Sequence, residues 1–198
     1  IDCWGPNRQH VDYSAVREYA VNTAYCESAK RFNAQLLGDA IELLDLDFTT
    51  ATQASCRADA ALRFNSSGVC HGVLGWFDMR LGEHWLSTSP LAAPTHWSQM
   101  YFPFRQPLAV QAGDSASLRL QRPQHGQWSW IVDFGGRQQA HSTAMSSPLA
   151  HSELARASEQ ARPALNERGK AISMALQAMD GATSIGELAA AMVAHYPL

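Results

Sequence analysis

The residues of this chain that could do chemistry gather in one stretch. Leu86-Ser87-Thr88-Ser89-Pro90 is followed by Pro94-Thr95-His96-Trp97-Ser98-Gln99, directly ahead of the apolar run Met100 to Phe104. An indole beside an imidazole can form a wall of a binding site. The aromatic face attracts a cation, and an imidazole is the side chain whose charge switches near neutral pH. Spacing alone favours a plainer reading, in which Trp97 plugs one end of a β structure while Thr95 and His96 bond local backbone.

The rest of the chain offers little competition. No Gly-x-Gly-x-x-Gly follows a strand, and the phosphate loop, the zinc-protease helix and the nucleophile elbow are all absent. The eight histidines are scattered, and a lone histidine is more often structural than catalytic. No carboxylate pair stands out as an acid–base couple; Asp45 and Asp47 fall on the solvent face of an alternating segment. Cys3, Cys26, Cys56 and Cys70 lie far apart with no Cys-x-x-Cys pair. That spacing excludes a compact metal knuckle and argues against a disulfide framework. It reads as small buried thiols in a reducing compartment, and the expected location is cytoplasmic.

The chain has 198 residues, 46% of them hydrophobic and 17% charged, with a net charge of −3. That is enough apolar material for a core, and it excludes disorder by composition. No apolar run approaches the ~20 residues that span a bilayer. The slight acidity and the lack of a Lys/Arg block argue against nucleic acid as a partner. The sequence opens on Ile1-Asp2-Cys3-Trp4 without a methionine or a secretory signal, as expected of a piece of a longer polypeptide.

Three textures must position the loop. In residues 1–30, Val16, Tyr19 and Ala20 fall at helical spacing after the turn residues Gly5-Pro6-Asn7, predicting one or two short helices. Residues 31–140 read as β. Leu44, Leu46 and Phe48 alternate with Asp45 and Asp47, predicting a strand with one buried face. Further strands are predicted at 58–64, 69–81, 100–104, 115–121 and 128–134, with Asn65-Ser66-Ser67-Gly68 turning the first pair into a hairpin. Short, turn-punctuated strands without helical crossovers favour an antiparallel barrel or sandwich. Residues 141–151 read as a linker and 152–198 as helical. Leu165, Ile172, Leu176 and Met179 form one stripe after Pro163, placed in a first turn. A capping box is predicted at Ser184 and Glu187.

The motifs together resemble a known family. Trp76-Phe77-Asp78, Leu86-Ser87-Thr88-Ser89-Pro90, Pro94-Thr95-His96-Trp97 with Gln99, Pro107-Leu108 and Gly113-Asp114 are similar, in order and spacing, to the C-terminal β-barrel of protein arginine N-methyltransferases. The resemblance runs over roughly residues 1–135, with Glu42 to Thr49 similar to a barrel strand and Trp4 through Arg31 to the dimerisation arm. It implies a mainly β, barrel-like antiparallel domain with an N-terminal helical arm and a C-terminal α-helical extension. It also implies roles: Trp97 stacks near a substrate guanidinium, Thr95 fixes the loop, and His96 takes the catalytic part of helping to hold the proton released on methyl transfer. The partner is then a protein or peptide carrying arginine. S-adenosylmethionine would bind an upstream domain that these residues lack, leaving this segment inactive alone and a monomer or weak dimer.

The last thirty or so residues resemble small helical modules such as the peptide-carrying chaperones of pyrroloquinoline quinone synthesis, though a helical cap over an open sheet edge explains the same pattern. A non-catalytic protein or peptide interaction module that reuses the barrel is the alternative function. A barrel enclosing an apolar small molecule ranks below both, because the polar loop breaks a regular meander.

Overall fold

The computed structural model of the chain describes residues 12–156 and 158–196. Two compact units divide the chain, residues 1–148 and 149–198. The first is mainly β and wholly antiparallel in its pairing.

Its spine is β6, Gln99–Val110, the longest strand. It pairs on one side with β1 (Tyr25–Glu27) and on the other with β3 (Gly68–Gly75). The β3–β6 register breaks between Cys70, opposite Leu108, and Gly72, opposite Pro103. Pro103 and Pro107 cannot donate to a ladder, so an irregularity there satisfies their geometry. Gly72 permits the close approach. A Cβ on it would collide with the Phe102 carbonyl and stand 2.6 Å from the Tyr101 ring.

A second sheet runs in the order β2 (Cys56–Arg63), β7 (Ser115–Arg122), β8 (Ser129–Phe134), β9 (Arg137–Ser142). Period-two patterning is clear in β7, where Ala116, Leu118 and Leu120 are buried and the residues between them exposed. Inward residues of both sheets make one core. Phe64, Phe102, Phe104, Leu108 and Val110 meet Leu118, Leu120, Trp130 and Val132. A small hairpin, β4 (Asp78–Leu81) with β5 (His84–Ser87), stands apart.

Trp130 is fully buried and ties these parts together. Its indole N–H donates to the Pro103 carbonyl at 2.8 Å, and Phe102 packs edge-on at 5.3 Å between ring centroids. His141 stacks on the indole at 5.1 Å with the planes 13° apart. Helix α1, Ser14–Val21, closes this end. Val21 is completely buried, Arg17 donates to the Arg105 carbonyl at 2.5 Å, and the Asn22 side chain accepts from the Ser142 amide at 2.9 Å.

Several expectations from the sequence need correction. The sheets do not close into a barrel. Residues 44–48 form no strand: the segment pairs with no other strand, ends in a turn in which the Asp47 carbonyl accepts from the Thr50 and Ala51 amides, and leaves Leu44, Leu46 and the 77%-exposed Phe48 in solvent. Alternation supplies an apolar face but cannot supply the partner strand that a ladder requires. Conversely, β9 begins beyond the last predicted strand and occupies the first residues assigned to a linker. Gly135 and Gly136, with φ of 59° and 76°, form the two-residue turn that brings it back beside β8. Cys70 is buried and Cys56 partly so, but Cys26 is exposed; Cys3 lies outside the described residues.

Among the described residues, no helix is long and apolar enough to cross a membrane. The second unit holds α2 (His151–Arg156), α3 (Glu167–Gln177) and α4 (Ile185–His195). Asn166, whose side chain accepts from the Gly169 amide, caps α3, so Pro163 falls ahead of the helix and not in its first turn. The Ser184–Glu187 capping box starts α4 as its sequence predicts.

His141 makes the first unit sensitive to acid. Neither of its ring nitrogens makes a hydrogen bond of good geometry, the Val21 backbone offering only a marginal contact. Burial above all, and then the charge of Arg105, push its pKa from 6.5 down to about 4, with the Val21 backbone opposing. Other charges at this end are Glu18, in an ion pair with Arg105 at 3.0 Å, and Arg17. The unfolded chain therefore takes up a proton at a pH where the folded chain does not. Stability from this group is intact above pH 6.5 and falls as pH drops toward 4. The slope approaches about 1.4 kcal/mol per pH unit. Urea unfolding at about pH 7 and about pH 5 should show this loss. His141→Phe, which keeps the stack but cannot titrate, should flatten it; equal slopes for both proteins would refute the assignment.

Candidate functional site

The loop of residues 89–98 leaves β5 and enters β6, and both of its ends are pinned. Thr88 is 2% exposed. Its hydroxyl donates to the Phe77 carbonyl at 2.9 Å and accepts from the Phe77 amide at 3.1 Å. At the other end, the buried Gln99 side chain accepts from the Ala29 amide at 2.9 Å and donates to the Thr88 carbonyl at 2.8 Å. One primary amide thus fastens the loop's exit to its entrance and to the turn after β1. Within the loop, hydroxyls bend the backbone locally. Ser89 accepts from the Leu91 amide at 3.2 Å, and Thr95 accepts from the Trp97 amide at 3.2 Å.

On this anchored base stand the aromatic groups. His96 and Trp97 lie ring over ring, centroids 4.0 Å apart and planes 33° apart. Phe77 meets Trp97 edge-on at 6.0 Å. His96 is exposed and Trp97 is 39% exposed, so the indole is braced by two neighbours yet open to solvent. Thr95, His96 and Trp97 therefore share one open rim. Sequence adjacency places them there, and the Thr95 turn sets their order in space.

The rim borders a cavity of about 90 Å³ lined by Ser28, Lys30, Thr88, Pro94, Trp97 and Gln99 among others. A liquid water occupies about 30 Å³, and ordinary ligand pockets begin at about 300 Å³. This space suits one side-chain headgroup. Among the described residues no carboxylate lines it, and the one full charge at its edge is the Lys30 ammonium. A larger concavity of about 390 Å³ lies on the outward face of the second sheet. Its two charges neutralise each other, Arg119 pairing with Asp59 at 2.7 Å.

Among the described residues, no cluster of three His, Cys, Asp or Glu could hold a metal ion. Burial raises the pKa of the Cys56 and Cys70 thiols, and for Cys70 a hydrogen bond to Gly72 only partly offsets it. Both are thereby kept from thiolate chemistry. The sequence reading missed Ser28 and Lys30, which reach the loop only because β1 pairs with β6, a contact between distant segments. It also missed Gln99 as a fastener. The available signal was a long polar side chain at the start of an otherwise apolar strand.

Comparison with known proteins gives a consistent picture. A family model described as "Arginine methyltransferase oligomerization subdomain" matches residues 1–134. The chain is similar to probable protein arginine N-methyltransferase 3 of Oryza sativa subsp. indica, with 35% identity over 86 residues, covering 36% of this chain and 13% of that protein. It is also similar to probable histone-arginine methyltransferase 1.4 of Arabidopsis thaliana, with 33% identity over 97 residues, covering 45% of this chain and 18% of that protein. These matches therefore span less than a fifth of either relative's length. A solved structure, the Trypanosoma brucei PRMT1 enzyme–prozyme heterotetrameric complex with AdoHcy, superposes with a TM-score of 0.59 at 22% identity. The superposition covers 72% of this chain and 50% of that one, a likeness of fold.

The clamp generates a test. Gln99→Ala removes two buried hydrogen bonds and leaves the Ala29 amide and Thr88 carbonyl unpaired, which should cost about 2–4 kcal/mol. Thermal unfolding should register the loss, and amide exchange should quicken selectively in residues 89–98. Uniform quickening across both sheets would mean that Gln99 serves the core and not the loop.

Proposed function

The chain belongs to the arginine methyltransferase oligomerization-subdomain family, and from that premise we propose that it forms the substrate-side wall of an S-adenosylmethionine-dependent arginine methyltransferase. The observation carrying this reading is the braced, solvent-open Trp97 beside a cavity of headgroup size with no acid among its described lining residues. A guanidinium is a planar cation that stacks on an indole face. Such a group also needs carboxylates to fix its two edges. Here the acids must come from another surface, so the site is half of a cleft whose other half is an upstream cofactor domain.

The residues of this chain do not fit S-adenosylmethionine. No glycine-rich turn follows a strand, and 90 Å³ cannot admit a nucleoside. The contribution of this chain to methyl transfer is then positional and electrostatic. Trp97 orients the guanidinium plane, and Thr95 holds the backbone that aims the indole. His96, stacked on Trp97, joins a hydrogen-bond network with an acid of the upstream domain and helps to hold the proton released from the substrate nitrogen. The substrate is a protein or peptide carrying arginine. The same reading places the protein in the cytoplasm, in keeping with the unpaired Cys26, Cys56 and Cys70.

Exposed Ile41, Leu44, Leu46 and Phe48 support an incomplete assembly, since a face of this kind normally meets another protein surface. A second reading, a non-catalytic protein-interaction module, draws on Lys30. An ammonium at the rim repels the very cation that Trp97 would attract.

Two measurements separate the readings. In the complete enzyme, Trp97→Ala should lower turnover by about a hundredfold or more while leaving thermal unfolding unchanged. Unchanged activity would return Trp97 to a packing role. Calorimetry should show S-adenosylmethionine binding to the intact protein and none to residues 1–198 alone. Absence of binding by the intact protein would favour the interaction module.

A further inference from the structure

Lys30 lines the cavity at the aromatic rim and has no carboxylate partner among the described residues. Glu27, the acid nearest to it in sequence, is not part of that lining. An ammonium carries three donors and no acceptor. Ser28 and Ser98 line the same cavity, and neither hydroxyl has a protein partner among the described residues. Other polar groups of the lining are committed to the loop itself. Thr88 is bonded to Phe77, Thr95 accepts from the Trp97 amide, and both ends of the Gln99 side-chain amide are taken. The cavity therefore presents a cation and two hydroxyls that all lack an acceptor.

Size and charge select what fits. A volume of about 90 Å³ holds about three waters, the room that the three heavy atoms of a carboxylate take. A guanidinium placed there would meet the ammonium at close range, like charge against like. Its place is the exposed part of the Trp97 indole. The rim thus has two places of opposite preference, an aromatic surface for a cation and a basic cavity for an anion. Trp97 borders the cavity, and an extended peptide advances about 3.5 Å per residue, so side chains a residue or two apart reach both. On the reading of this rim as a substrate wall, the acids of the upstream domain fix the edges of the guanidinium. A lysine sharing those acids would weaken that hold, so the anion for Lys30 arrives with the substrate.

We propose that Lys30, with Ser28 and Ser98 beside it, is a specificity site that selects arginine peptides carrying an aspartate or glutamate within about two residues of the arginine. The proposal rests on the substrate-wall reading and names the peptide class that the wall takes. The carboxylate accepts charge-assisted hydrogen bonds from the ammonium and ordinary ones from the hydroxyls. Its charge also offsets the repulsion between Lys30 and the guanidinium. Because the Gln99 clamp holds the loop at both ends, little ordering is left to do when the peptide binds.

Fluorescence anisotropy on the complete enzyme tests this, with arginine peptides that differ only in Asp or Asn at each of the two positions on either side. At the best position the native enzyme should bind the Asp peptide about fivefold tighter or more. Lys30→Gln should bring that ratio to about one, and Lys30→Glu should turn it in favour of a peptide with Lys at the same position. Each ratio is taken within one protein, so a change in overall affinity or stability cancels. A native enzyme with no preference for Asp at any position overturns the proposal. Destabilisation by Lys30→Gln would then assign the lysine to an acid of the upstream domain. A preference that survives Lys30→Gln overturns it as well, because the acid is read elsewhere. Methyl transfer to the same peptides keeps the two readings apart. Transfer without an Asp preference removes only the Lys30 assignment, and a Lys30-dependent Asp preference without transfer removes only the methyltransferase reading.

Discussion

Trp130 has a single polar atom, and burying it completely requires an acceptor that no regular strand can spare. The break in the β3–β6 register supplies one. Where Pro103 interrupts the ladder, its carbonyl turns to the indole N–H at 2.8 Å. Once that bond fixes the ring, much of the first unit follows. Phe102 packs on its edge, His141 covers a face, and the Ser142 amide beside His141 reaches the Asn22 side chain just past α1. The two sheets and the N-terminal helix are thus joined through one aromatic plane. Gly72 belongs to the same constraint, since only a residue without a side chain lets β3 approach the irregular part of β6.

The candidate site depends on the same strand at its other end. Gln99 opens β6 and holds the loop, so the rim carrying His96 and Trp97 is fixed by the strand whose middle carries the Trp130 acceptor. This anchoring restricts an aromatic pair that is itself exposed. Two anchored ends and short internal hydroxyl turns leave the loop few alternatives, and a preorganised wall loses little entropy when a partner arrives.

What was legible in the sequence was whatever depends on near neighbours. The β7 alternation, the Ser184–Glu187 box and the Leu165-to-Met179 stripe are visible in the residues themselves. The Thr95-His96-Trp97 motif was legible through family resemblance, while spacing alone suggested a plug. The failures share a cause. Residues 44–48 alternate like a strand but lack a neighbour, and β9 was hidden because Arg137-Gln138-Gln139-Ala140-His141-Ser142 is too polar to look like one. Its place is set by the turn at Gly135-Gly136 and by cross-strand pairing with β8. Lys30 and Ser28 reach the cavity through pairing between segments some seventy residues apart, as Glu27 opposite Gln99 shows. No local pattern encodes that.

The apolar stretch from Ile41 to Phe48, which belongs to no strand, has a practical consequence for the isolated polypeptide. An unpaired, alternating segment of this type is a template onto which another chain can add, and it would be a nucleus for aggregation. Glu42, Asp45 and Asp47 interrupt it at short intervals. As gatekeepers they put negative charge on any stacked copy and make self-templating costly. The carboxylates between the leucines thus oppose self-association of this apolar segment.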